Sequence, residues 1–289
     1  MTATSVYGAS TVKRSRRTNA EIANLDEAIV AAIAEDAPVS LRGVYYRCVS
    51  AGAVDKTEDG YKAVGRRLLA LRRAGRVSYW DIADGTRWVF KPTTYNGIDE
   101  VLRDTAASYR RTLWATSDYR LQLFSEKDAI TGVIDSVTEH HDVSLGVLRG
   151  FASESFCWRV AQSLDPARMN VLGQLGDHDP SGVAAWDDFQ RKVTAFAPDR
   201  NLGFDRLAVT ADQIDLYNLP LRATKKSDSR ARGWVGGSVE VDAIPARELR
   251  SIVTEWIEQH IDPQALLVAR EAEQSERQIL RTLAGGWQR

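Results

Sequence analysis

Arg42 and Tyr46 stand four residues apart in SLRGVYYRCVS (residues 40–50), a spacing that puts two side chains on one face of a helix. A phenol titrates near about 10, so a tyrosine that attacks a phosphate at neutral pH needs a neighbouring cation or base. Arg42 offers a permanent charge and a planar fork that also suits a phosphate. Tyr45 belongs to a different face: Leu41, Val44, Tyr45, Cys48 and Val49 recur at helical spacing and form an apolar stripe. The expectation is that Tyr45 is buried, whereas Tyr46 stacks with Arg42 and is reachable by a ligand. Taken alone, the Arg42–Tyr46 pair reads as an exposed tyrosine in a cation–π contact.

A second set of residues gathers carboxylates. LFSEKDA delivers Glu126 and GQLGDHDPSG delivers Asp177 and Asp179, each just after a short apolar run. Alternate residues of extended chain point the same way, so the two aspartates face one side and His178 the other. Three hard oxygen donors at the ends of adjacent strands suit a partly hydrated Mg²⁺. Each motif alone is more often a turn or a surface feature. His140 and His141 are adjacent, with no cysteine spaced for zinc, and read as solvated or loop residues. Glycine-rich dinucleotide and phosphate-loop motifs are absent.

The elements that must hold these groups follow from periodicity. Residues 1–18 read as a flexible basic arm. In residues 19–92, helices are predicted from about Asn19, over 41–50 after Ser40, and over the stretch TEDGYKAVGRRLLALRRAG. RVSYWDI and TRWVFK around Ala-Asp-Gly then read as a hairpin, completing a winged helix-turn-helix pattern. The third helix carries Lys62, Arg66 and Arg73 opposite Leu68 and Leu71, flanked by Arg67, Arg72 and Arg76. In that fold it would lie in the major groove with several of these cations on phosphates; otherwise they form a solvated face. Residues 93–119 read as a linker with a helix. From 120 to 289, strands at 121–125, 170–176 and 205–210 alternate with helices at 127–138, 153–163 and 180–196, predicting a layered α/β sheet that is mostly parallel. Helices near 245–260 and 264–284 close the chain.

Composition agrees with a polyanion-facing front. The net charge is −1, but residues 1–125 carry about +5 and the remainder about −6. No apolar run is long enough to span a bilayer, the first residues lack a secretion signal, and the two cysteines fit no disulfide framework, which together suit a reducing cytoplasm. The basic, glycine-rich stretch 223–238 reads either as a mobile DNA-contacting loop or as a solvated insertion.

Four motifs in order resemble the A subunit of type IIB topoisomerases (topoisomerase VI), its meiotic double-strand-break relatives and the stand-alone Mini-A forms. They are VSLRGVYYRCV, SEKDAI, GDHDPSGV and EVDAIPARELRSIV, and the match runs from about residue 20 to about 262. The resemblance implies a winged-helix (5Y-CAP-like) domain followed by a Toprim domain with a Rossmann-like, mostly parallel sheet. It implies Tyr46 as nucleophile with Arg42 and Glu126 in the catalytic set, and Glu126, Asp177 and Asp179 as ligands of Mg²⁺, for which Mn²⁺ can substitute. It further implies a homodimer on duplex DNA in the nucleoid. Tyr46 of one subunit would attack a phosphodiester beside the other subunit's metal, giving a 5′-phosphotyrosyl link. No GHKL-type ATPase sequence is present, so strand passage would need a separate B-like subunit. Two alternatives remain open: a Toprim nuclease that hydrolyses DNA without the tyrosine, and a non-catalytic DNA-binding protein of a mobile element or defence system.

Overall fold

The computed structural model describes residues 17–83, 92–222, 234 and 236–286; the basic arm over 1–16 and most of the 223–238 stretch lie outside the described residues. Helix α1 (Asn19–Asp36) begins at a capping box, where the Thr18 hydroxyl accepts from the Glu21 amide and Glu21 reaches back to the Thr18 amide. Ser40 and Thr57 cap α2 (Leu41–Ser50) and α3 (Glu58–Arg73), accepting from the amides of Gly43 and Gly60. Along α3, Val64, Leu68 and Leu71 are buried while Lys62, Arg66 and Arg73 stay exposed, as the 3.6-residue period requires. Tyr61, one turn before Val64 on the same stripe, is only half-buried.

The expected hairpin is corrected in its first limb. Tyr79–Asp81 forms a 3-10 turn, because the Ser78 hydroxyl accepts from the Trp80 amide and the Asp81 carboxylate accepts from the Ser78 amide. Such local side-chain bonds compete with strand pairing. Among the described residues, Ile82 forms a single parallel bridge, to Val39. The second limb, at 84–91, lies outside the described residues.

After α4 (Ile98–Ser108), β1 (Tyr119–Ser125), β2 (Ser144–Val147), β3 (Met169–Leu175) and β4 (Leu202–Ala208) form one sheet, in the order β2-β1-β3-β4. Every pair is parallel. Three helices alternate with the strands: α5 (Asp128–His140), α6 (Glu154–Ser163) and α7 (Pro180–Phe196). The chain continues through α8 (Ala211–Leu216), a 3-10 turn at Val241–Ala243, α9 (Ala246–Glu258) and α10 (Pro263–Gly286). Strand β4 starts three residues before its predicted range, and β2, four residues long with a glycine inside, carries no strong strand signal.

Period-two alternation splits the sheet's side chains between two cores. Phe124 and Leu172 join Trp186, Phe189, Val193 and Cys157 beneath α6 and α7. Leu121, Leu123, Val171 and Leu175 face the other way, beneath α5 and α9. Gly173 on this side makes room for Trp256, since a Cβ there would meet the indole at 2.9 Å. Leu25, Ile29, Val44 and Val64 from α1–α3 belong to this same cluster, so the N-terminal helices are packed against the sheet layer and share its core. Both cysteines are buried and free.

Candidate functional site

Strand order places the carboxylates. From β1 the chain steps outward to β2, then crosses back to β3 on the opposite side of β1, which makes the gap between the ends of β1 and β3 a topological switch point. Glu126 leaves β1 there, and Asp177 and Asp179 leave β3. The Glu126 amide donates to Leu175 O (2.8 Å), and Glu126 Oε2 accepts from the Asp177 amide (2.8 Å). Two glycines make room for this approach: a Cβ on Gly176 or Gly182 would stand 2.9 or 3.1 Å from Glu126 Oε2. Burial, then the charge of Asp177, raises the Glu126 carboxyl above the ordinary range. Asp177 is likewise pushed up by burial, against the pull of Lys127. Asp179 caps α7, with Oδ1 accepting from the Gly182 amide at 2.7 Å.

Among the described residues no three His, Cys, Asp or Glu side chains converge as a metal cage. The expected three-carboxylate ligand set is therefore not assembled: Asp179 is committed to its helix cap and Asp177 to Lys127. The donor chemistry still fits a largely hydrated divalent ion, which needs only one or two carboxylates. Burial is the main reason that the Glu126 and Asp177 carboxyls are both held above the ordinary range.

Lys127, the residue after Glu126, carries most of the compensation. Its Nζ stands 2.8 Å from Asp177 Oδ1, 3.0 Å from Asp242 Oδ2 and 3.2 Å from Glu240 Oε2. Burial works against its charge, but Asp242, Asp177 and Glu240 together hold it protonated. Glu240 in turn takes Arg42 on Oε2 and Arg222 on Oε1, the latter at 2.8 Å. Asp242 accepts from the Ser40 hydroxyl (2.9 Å) at the start of α2. Asp177 Oδ1 also accepts from the Val241 amide (2.9 Å). A continuous set of ion pairs thus runs from the tyrosine helix to the strand-end carboxylates.

Two expectations about the tyrosines part company here. Tyr45 is buried, as its stripe requires, and its hydroxyl donates to Thr57 O (3.2 Å). Tyr46 is not reachable from solvent: it is 4% exposed. Helix α2 packs against the 3-10 turn at Val241–Ala243, a segment nearly two hundred residues away in sequence. Tyr46 belongs to the same buried cluster as Val239 and Val241, and the Lys56 ammonium sits 5.4 Å above the Tyr46 ring. Nor does Arg42 stack on Tyr46; it lies 5.5 Å from the Tyr61 centroid and pairs with Glu240. Burial, then the charge of Glu240, raises the Tyr46 phenol well above its ordinary value, while Arg42, Lys127 and Arg222 pull it down.

Among the described residues, the basic face of α3 divides into exposed cations and cations committed to partners. Arg66, Arg73 and Arg76 are exposed, and Lys62 is exposed in a 3.5 Å pair with Glu58. Arg67 instead makes a bidentate pair with Asp26 of α1, at 2.7 and 2.6 Å. Arg72 lies over the Tyr79 ring at 4.1 Å. These two hold the helices and the following turn together.

Sequence reasoning missed Lys127, Arg206, Arg222, Glu240 and Asp242 as site residues. Arg206 on β4 reaches across β3, donating to Gln174 Oε1 (2.7 Å) and to the Asp177 carbonyl. A signal existed for two of them, since Glu240 and Asp242 open the motif EVDAIP. His178 faces away from the aspartates, as expected, against Trp234. His141 is buried rather than solvated; its carbonyl accepts from Trp114 Nε1 (2.8 Å). Among the described residues no helix is long and apolar enough to cross a membrane. Comparison with known proteins returns no matching protein-family model and no matching curated protein.

Proposed function

We propose that this chain is a Mg²⁺-dependent DNA transesterase of the type IIB topoisomerase A-subunit kind, with a winged-helix region over α1–α3 and a Toprim region around the parallel sheet. One observation carries the reading: ion pairs through Arg42, Glu240, Lys127 and Asp177 tie the Tyr46 helix to carboxylates at a sheet switch point. In the reaction, the Tyr46 phenol loses its proton and its oxygen bonds to phosphorus. The bond from phosphorus to the 3′ oxygen breaks, and that oxygen takes up a proton. The DNA is left with a 5′-phosphotyrosyl end, and the reverse step rejoins it without ATP. Arg42 and Lys127 lower the cost of the phenolate and of the charge on the transferring phosphate. Glu126 and Asp177 would hold Mg²⁺, which would supply charge neutralisation at the phosphate. Because Tyr46 is buried, its phenol must be uncovered before attack. The four-motif resemblance implies a homodimer in which Tyr46 of one subunit acts at the other's carboxylates; the ion pairs within one chain then hold a resting arrangement that opens before attack.

The test is denaturant trapping on end-labelled duplex with Mg²⁺. Wild type is expected to retain label on the protein, and Tyr46→Phe, Glu126→Gln and Asp177→Asn to retain none. Cutting that survives Tyr46→Phe and leaves free 5′ phosphates would sink the tyrosine mechanism. That outcome belongs to the second reading, a metal-dependent nuclease, which the burial of Tyr46 favours.

A further inference from the structure

Glu240 is the acceptor for three cations from three separate segments. Arg42 comes from α2, Lys127 from the turn before α5, and Arg222 from the strand-like stretch that pairs with Ser238. A carboxylate needs one such partner to be satisfied when buried. Here Oε2 receives Arg42 and Lys127 while Oε1 receives Arg222, and the cations bring the Glu240 carboxyl down to about 2 despite its burial. A fourth cation, Lys56, stands close enough to Arg222 to be disfavoured by its charge. The two arginines are half-exposed, at 43% and 45% of their side chains, whereas Glu240 is largely covered. These same charges are the ones that act on the Tyr46 phenol.

We propose that Arg42, Lys127 and Arg222 form a binding site for a phosphodiester anion beside Tyr46, and that the Glu240 carboxylate is its intramolecular occupant. A carboxylate and a phosphodiester both carry one negative charge on two terminal oxygens, and arginine forks accept either. With Glu240 withdrawn, Lys127 keeps Asp177 and Asp242 as partners and so stays in place. Among the described residues, Arg42 and Arg222 then lose their ion-pair partner, and both side chains already face solvent. The incoming phosphate takes the two oxygen positions that Glu240 holds, so binding it displaces Glu240 and breaks the ion pair that ties α2 to the segment leading into the Val241–Ala243 turn. The inference deepens the transesterase reading and rests on it for the identity of the anion.

The experiment uses the full chain with divalent ions chelated. Binding of a short DNA duplex is measured for wild type, Glu240→Gln, and Glu240→Gln combined with Arg42→Gln and Arg222→Gln. Inorganic phosphate serves as competitor, and Glu258→Gln, a remote exposed carboxylate, sets the size of the general charge effect. Glu240→Gln should bind duplex about tenfold tighter than wild type, the scale of one freed charge-assisted contact. Phosphate should compete for that gain, and the triple variant should lose it. A gain no larger than that of Glu258→Gln, or one that persists in the triple variant, overturns the proposal. If Glu240→Gln does not fold, Arg222→Gln decides: the proposal requires severalfold weaker duplex binding, and unchanged binding overturns it. Chelation removes cleavage from the readout, so a failure to trap a covalent adduct leaves this result standing and is distinguishable from it.

Discussion

The Lys127 ammonium lies 2.8 Å from Asp177 Oδ1, at the mouth of the cleft between β1 and β3. A lysine here does part of what a bound cation would do, since Asp177 is buried beside Glu126 and would otherwise be uncompensated. Lys127→Met removes the charge and keeps the stem. It should cost about 3 kcal/mol, the usual loss when one partner of a buried pair is deleted, read as a lower urea midpoint. Added Mn²⁺ should raise the melting temperature of Lys127→Met more than that of wild type, because binding to the folded state alone stabilises it. Equal shifts in the two proteins would count against competition between Lys127 and a divalent ion.

Gly182 sets how closely α7 can approach the carboxylates. A Cβ at this position would stand 2.6 Å from the Asp177 carbonyl and 3.1 Å from Glu126 Oε2. The nearer atom is backbone, so the strand-to-helix corner must shift. Gly182→Ala should lose about 1–3 kcal/mol of stability, the range for overpacking, and should weaken Mn²⁺ binding measured by electron paramagnetic resonance. Unaltered stability would show that the corner can yield freely.

The α3 cations should separate by their partners. Arg66 and Arg73 are exposed on one stripe, whereas Arg67 is held by Asp26. If this face meets phosphates, alanine at Arg66 or Arg73 should each lower the salt slope of duplex binding by about 1. Arg67→Ala should leave the slope nearly unchanged and instead reduce stability, with a coupling to Asp26 of about 0.5–1 kcal/mol in a double-mutant cycle. A slope that falls equally in all three would place Arg67 on the nucleic acid.

Periodicity and capping chemistry made most of the helices legible, because Thr18, Ser40 and Thr57 each sit just before an amphipathic run. The strand ends bearing Glu126, Asp177 and Asp179 were equally readable from short apolar runs that stop at a carboxylate. Contacts between segments distant in sequence could not be read this way. Tyr46 looked exposed because it falls off the apolar stripe of its helix, yet it is buried in a cluster that includes Val239 and Val241 from far along the chain. Nothing local to Lys127 marked it, because its role depends on Asp242 and Glu240, more than a hundred residues later. The 3-10 turn at Tyr79–Asp81 escaped notice because Ser78 and Asp81 bond locally within an alternating pattern that otherwise reads as strand.

Acid should unlatch the α2 contact through Glu240. The groups facing this carboxylate are Arg42 from α2, Lys127 before α5, Arg222 and, beyond Lys127, Asp242. Its folded-state pKa of about 2 lies below its ordinary 4.5, so the folded protein holds Glu240 ionised more firmly than the unfolded chain does. Stability from these ion pairs is therefore fully present above pH 4.5 and is lost as pH falls from 4.5 towards 2. Glu126 and Asp177 act in the opposite sense, because their raised carboxyls relieve strain when they protonate. In Glu240→Gln, urea midpoints should fall less steeply across the window between 4.5 and 2 than in wild type. The two proteins should differ most at neutral pH and converge at the acid end. Parallel curves would mean that Arg42, Lys127 and Arg222 draw no net stability from Glu240.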